Sequence, residues 1–267
     1  MVAVALSSQQ LNAVHQLLDR VAERQRQDFG NISADLKSDG TLITTCDRWS
    51  DEAITSGLGL IAPGEGVLSE EGSKSVPTTQ AYWVVDPLDG TTNFAAGIPY
   101  WAISVARWVD GVPSEVFLDV PSLRQRIVAI RGKGVWRNGK LLTSDTRTAS
   151  ESACVSLCSR SIRVLQRRPD RRFPGKIRLL GVASLNLLSV AMGQTAGALE
   201  ATPKIWDLAA VWLVLSELEC PIIWLSRDPG SLNAGDDLSD ADFPVVVAGN
   251  VEMLERLREW GEALLQA

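Results

Sequence analysis

Residues 83–94 read Trp83-Val84-Val85-Asp86-Pro87-Leu88-Asp89-Gly90-Thr91-Thr92-Asn93-Phe94. An apolar strand ends in two carboxylates three residues apart, followed by a glycine, two hydroxyls and an asparagine. Pro87 fixes φ and removes a donor, so the turn between the aspartates is stiff. Such a turn can aim both carboxylates and the Leu88 carbonyl at one point. Hard oxygen ligands of this kind suit Mg²⁺ or Mn²⁺. Gly90 and Thr91 would open a helix, whose free N–H groups attract an anion. Metal ligands beside an anion cradle point to phosphate-ester chemistry. The plain alternative is an exposed Asp-Gly turn with a threonine cap and no chemistry.

Two metal-binding patterns that begin with paired aspartates do not fit. An EF-hand loop places oxygen ligands at alternate positions and a glutamate at the twelfth; Leu88 stands at the third position here and Gly97 at the twelfth. The haloacid-dehalogenase pattern has one residue between its aspartates. Here there are two, Pro87 and Leu88, so the second aspartate no longer faces the first across the strand end.

The remainder of the 267-residue chain is ordinary for a globular protein: 45% hydrophobic, 22% charged, net charge −6. An acidic chain is not expected to bind nucleic acid through its overall field. One histidine, His15, excludes zinc sites built on several histidines, and its place beside Val14 and Leu18 suits a helix-packing role. Cys46, Cys154, Cys158 and Cys220 lack paired short spacings, which suggests reduced thiols and a cytoplasmic location. The uncharged run 179–199 holds too many polar residues and glycines for a membrane span. No membrane association is expected.

Outward from residues 83–94, the chain divides near 148 into an α+β half (1–148) and an α/β half (149–267). In the first, Ser7 and Gln10 form a capping box for an amphipathic helix reaching about Gln27. A polar loop spans 30–40. Asp47 is read as the cap of a second helix that carries Trp49, Ala53 and Ile54 on one face. Tyr82–Val85, 101–109, 112–120 and 125–131 read as strands, with Asp110-Gly111 and Asn138-Gly139 as hairpin turns. In the second half, strands at 153–158, 177–180, 197–201, 221–225 and 244–248 alternate with helices at 184–192 and 207–219. Asn250 caps a last helix. The expected class is α/β, with an antiparallel sheet first and a mixed, partly parallel sheet after it.

Taken with Gly97 and Pro99, the segment Asp86–Phe94 resembles the signature of the inositol monophosphatase family. Other landmarks follow in order: Lys37 with Ile43-Thr44 and Asp47, Glu70-Glu71, Gly132-Lys133-Gly134 to Asn138-Gly139, and Trp206-Asp207-Leu208-Ala209-Ala210. The resemblance implies a layered αβαβα fold, a homodimer, and Mg²⁺-dependent, lithium-sensitive hydrolysis of small phosphate monoesters. It further implies that Glu70, Asp86 and the Leu88 carbonyl hold one metal, Asp86, Asp89 and Asp207 a second, and Glu70 part of a weaker third. Gly90 and Thr91 would take phosphate through their backbone. Thr91 and Glu70 would orient the attacking water, and Asp89 would bridge metal and leaving group. Gly181, Ala183 and Glu200 would contact the rest of the substrate.

Three positions depart from the family pattern: Ser69 for a glycine, Val182 for a hydroxyl residue after Gly181, and Val211 for a small residue. None removes a metal ligand; all bear on substrate. Glu200 favours a polyol phosphate, inositol 1-phosphate first, with histidinol phosphate or another sugar or nucleotide phosphate as the alternative. A non-catalytic metal- and phosphate-binding module is the reading from another class. The arginines between 160 and 178 read as a solvated face, an anionic-partner site or a dimer edge. Trp206 reads as core or as a wall of the substrate pocket.

Overall fold

The computed structural model describes residues 5–37, 40–143 and 154–265. The boundary expected near 148 lies outside the described residues.

Helix α1 (Ser8–Asp28) begins at the capping box of Ser7 and Gln10. The segment read as loop contains a strand, β1 (Ala34–Leu36), paired with β2 (Leu42–Thr44). Thr44, not Asp47, caps α2 (Thr45–Ile61): its hydroxyl accepts from Cys46 and Asp47 N–H, and the Asp47 carboxylate accepts in return from the Thr44 amide. Ser50, Ile54 and Leu58 are inside, while Trp49 is 36% exposed.

A seven-stranded sheet follows the order β3 (Gly66–Ser69), β4 (Ala81–Asp89), β5 (Ala102–Val109), β6 (Val112–Val120), β7 (Gln125–Ile130), β8 (Gly134–Arg137), β9 (Lys140–Leu142). It is antiparallel except for β3 and β4, which run parallel. Asp110 and Gly111, and again Asn138 and Gly139, have positive φ at the hairpins the sequence marks. Strand β4 does not stop at Val85 but runs through the aspartates, with a bulge between Asp86 and Asp89.

The second half forms a five-stranded sheet from β10 (Cys154–Leu157), β11 (Lys176–Arg178), β12 (Gly197–Glu200), β13 (Ile222–Trp224) and β14 (Val245–Ala248), in the order β11-β10-β12-β14-β13. Strand β10 is parallel to β11 and β12; β14 is antiparallel to β12 and β13. Helix α3 (Thr91–Ala95) follows β4. Then come α4 (Ser161–Gln166), α5 (Ala183–Ala191), α6 (Ile205–Glu217) and α7 (Val251–Leu264).

Alternation along the strands sorts side chains into layers. Trp83 and Val85 pack under α1 and α2. Tyr82 and Val84 face the other way, against α5 and α6. Val245 and Val247 close that middle layer from the second sheet, and Val246 and Ala248 turn to α4 and α7. The result is a five-layer αβαβα stack with α5 and α6 between the two sheets. Both helices are apolar nearly all round, as a helix buried on both sides must be.

Candidate active site

The site lies where β3, β4 and β12 end and α3, α5 and α6 begin. Strands β3 and β4 are parallel, with Ser69 opposite Val85, so the next residues, Glu70 and Asp86, emerge side by side; the Glu70 amide donates to the Val85 carbonyl at 3.1 Å. The bulge after Asp86 turns Asp89 to the same end. Asp207 joins them from the first turn of α6, where its Oδ2 accepts from the Lys204 amide at 2.7 Å. Asp86, Asp89 and Asp207 each offer an oxygen within 4.8 Å of the others'.

Each of these acids is tied to the backbone. Asp86 Oδ1 accepts from the Leu88 amide at 2.9 Å, across the stiff Pro87 turn. Its other oxygen, Oδ2, is buried and meets no hydrogen-bond donor. Asp89 Oδ2 accepts from the Ser184 amide at 2.8 Å in the first turn of α5. Burial, then repulsion by Glu70 and Asp89, holds the Asp86 and Asp207 carboxyls well above the usual range, and Asp207 raises Asp86 further. Burial raises Asp89 as well, opposed by the amides at the start of α5. Three facing carboxylates with an orphaned oxygen are costly unless protonated or bound to a cation. The donor set is hard oxygen throughout and fits Mg²⁺.

Glu70 stands beside this trio with a cation of its own. Lys37, at the end of β1, reaches Glu70 at 2.8 Å and Glu71 at 2.5 Å. Burial works against charge on Lys37, but the two carboxylates prevail and raise it. Burial raises Glu70, with Lys37 opposing. The Thr91 hydroxyl is 2.8 Å from Asp47 Oδ1 and 3.2 Å from the Leu88 carbonyl. Asp47 and Lys37 carry no site role in the sequence reading. Their only signal was membership of the same N-terminal landmark.

The substrate-side residues also meet. Gly90 has φ +99°, and a Cβ there would come within 2.7 Å of Val182. Gly181 has φ +77° and lies against the Asn93 amide. Asn93 donates to both Tyr100 O and Leu180 O, tying the aspartate loop to the loop before α5. Val182 therefore packs over Gly90 where a hydroxyl residue was expected. Ser69 is buried and hydrogen-bonded to Asp51. Ala183 opens α5. Glu200, at the end of β12, is buried and accepts from Asn186 Nδ2 at 2.7 Å; burial lifts its carboxyl to about 8. Asn186 had no distinguishing sequence signal. Trp206 is buried in the middle layer, its carbonyl bonded to Ser104 and its ring under the Lys74 ammonium.

Residues 2–248 match the model of the inositol monophosphatase family. The chain belongs to that family. Its members are metal-dependent phosphatases, and this chain is an inositol monophosphatase-family phosphatase. It is 36% identical over 213 residues to a histidinol-phosphatase of Mycobacterium tuberculosis, covering 75% of this chain and 82% of that one. It is 31% identical over 263 residues to an inositol-1-monophosphatase of Rhizobium meliloti, covering 93% and 94%. Among solved structures, the extragenic suppressor protein suhB of Bartonella henselae superposes with a TM-score of 0.79 at 25% identity, covering 96% and 98%. Among the described residues no helix is long and apolar enough to cross a membrane.

Proposed function

We propose that this family phosphatase is a Mg²⁺-dependent phosphomonoesterase of small polyol phosphates, with inositol 1-phosphate as first substrate. The observation that carries the reading is the meeting of Asp86, Asp89 and Asp207, with an orphaned oxygen on Asp86. Glu70, Asp86 and the Leu88 carbonyl would hold one ion, Asp86, Asp89 and Asp207 a second, and Glu70 part of a weaker third. When bound, Mg²⁺ supplies charge neutralisation and activation of water and leaving oxygen.

The chain's own groups do the rest. The Gly90 and Thr91 amides would receive phosphate. Thr91 Oγ1 donates to Asp47, which leaves its lone pairs to accept from the attacking water. Asp47 is then the acceptor for a proton passed through the hydroxyl. Glu70 would orient that water from the other side, and Asp89 would act next to the leaving oxygen. Gly181, Ala183 and Glu200 would line the alcohol side, where the buried Glu200 carboxyl suits vicinal hydroxyls.

The histidinol-phosphatase likeness favours histidinol phosphate as a second reading, and a buried carboxyl would meet its amine. A phosphate-release screen with Mg²⁺ over inositol, histidinol, sugar and nucleotide phosphates separates the two. Uniformly slow hydrolysis of all of them overturns both. A homodimer is also proposed: exposed Ile98, Leu179 and Leu180 lie on the two loops joined by Asn93. Cys46, Cys154, Cys158 and Cys220, as thiols rather than disulfides, support a cytoplasmic location. The division into 1–148 and 149–267 is retained as a proposal, one sheet to each half.

A further inference from the structure

The second sheet has another opening at the end that carries Glu200. Strands β10 and β12 are parallel neighbours. The chain leaves β10 into α4, on the α7 face, but leaves β12 into α6, on the opposite face. Where consecutive loops diverge in this way, a crevice forms beyond the carboxyl ends of the strands, and ligands bind there. Here the crevice is a cavity of about 760 Å³. Small-molecule sites span roughly 300–1,000 Å³.

Its polar wall comprises Ser159 and Arg160 after β10, Arg163 and Gln166 on α4, Thr202 after β12 and Ser226 after β13. Ile162 and Leu265 form an apolar rim, 42% and 50% exposed. Asp242 is the acid in the lining, and Lys204 engages it at 3.1 Å. Arg160 and Arg163 thus place two cations in the described lining against that one acid. The cavity backs onto the candidate active site without joining it. Glu200 turns to Asn186 on α5, whereas the next residue, Ala201, belongs to the core under α4 and α7.

We propose that this cavity is a second binding site, for a small organic anion with an apolar body. Its phosphate or carboxylate would meet Arg160 and Arg163, since a guanidinium pairs with either through parallel N–H donors. Its hydrocarbon part would cover Ile162 and Leu265, and the Ser159 and Thr202 hydroxyls would supply neutral hydrogen bonds.

Calorimetric titration of the metal-free full chain with 1-anilinonaphthalene-8-sulfonate, an anion on an aromatic body, tests the site. One molecule should bind per chain. Arg160→Glu and the milder Arg160→Ser should each weaken binding, the former at least tenfold. Asp207→Asn, on the other face of β12, should leave it unchanged. Displacement by phenyl phosphate or by benzoate supports the site and tells which anion it prefers; displacement by neither overturns it. Binding that survives Arg160→Glu, or is lost in Asp207→Asn, also overturns it.

Discussion

Asn186 Nδ2 donates to Glu200 Oε1 at 2.7 Å, and both side chains are buried. The helix that steadies Asp89 through the Ser184 amide thus also steadies Glu200, two residues further on. Asn186→Ala should strand a buried carboxyl, at a cost of about 1–3 kcal/mol. It should raise KM for the preferred polyol phosphate more than for an aryl phosphate. Urea unfolding and steady-state kinetics on both substrates check this. Equal kinetic losses would remove Asn186 from any part in substrate choice.

Glu200→Gln keeps the shape and the Asn186 contact but replaces a carboxyl that, raised to about 8, is mostly protonated at neutral pH with an amide. Use of the polyol phosphate should fall by roughly 0.5–1.5 kcal/mol of transition-state stabilisation, as for a hydrogen bond between neutral groups, while an aryl phosphate is spared. Parallel loss on both would place Glu200 among the metal ligands instead.

The pH dependence of metal-free stability follows from the same carboxyl. Its folded value is about 8 against an ordinary 4.5. Between those values the native state keeps a proton that the unfolded chain has released. Stability in EDTA should therefore fall as pH rises from 4.5 towards 8, by up to about 1.4 kcal/mol per unit for this group. Asp86 and Asp207, also raised, act in the same direction. Glu200→Gln should flatten the slope, and excess Mg²⁺ should reverse it, because metal competes with protons for the aspartates. Melts from pH 5 to 8 in EDTA and in Mg²⁺ read both effects. A flat profile in EDTA would contradict the buried charge assignment.

How far these residues could be found from sequence differs from one to the next. The turns at Asp110-Gly111 and Asn138-Gly139 and the Ser7 and Asn250 caps carry local signals, and each stands where that signal put it. The Asp47 reading fails because Asp47, a favoured cap residue by type, instead fills the reciprocal place in the capping box headed by Thr44. The strand continuing through Asp86–Asp89 was hidden by Pro87, which a bulge accommodates. The parallel pairing of β3 with β4, which brings Glu70 beside Asp86, depends on a contact that no local pattern encodes. Asn186 and Lys37 become legible only when the chain closes on Glu200, Glu70 and Glu71.

Thr91→Val removes one oxygen and keeps the branched shape. The Asp47 contact disappears, and with it the proposed route for the water's proton. Turnover should drop by about 10²–10⁴-fold, with the Mg²⁺-induced rise in melting temperature retained. Near-parental kcat would exclude the hydroxyl from proton transfer.

Asp89→Asn should cost about a hundredfold or more in turnover. In EDTA the variant should melt slightly above the parent, since one of three facing charges is gone. In excess Mg²⁺ the order should reverse, because tighter metal binding favours the parent. An equal Mg²⁺ shift in both proteins would show that Asp89 is not a ligand.

The middle layer imposes an order on biosynthesis. Tyr82, Val84, Trp108 and Leu118 are covered by α5 and α6, which come much later in the chain. At roughly 5–20 residues per second, Asp86 and Asp89 leave the ribosome on the order of ten seconds before Asp207. Throughout that interval the nascent first sheet displays a bare apolar face. Its two aspartates, meanwhile, lack the third carboxylate of their cluster. Metal capture and concealment of that sticky surface therefore become a single late event, and a chain truncated before α6 should be a client for chaperones rather than a weak enzyme.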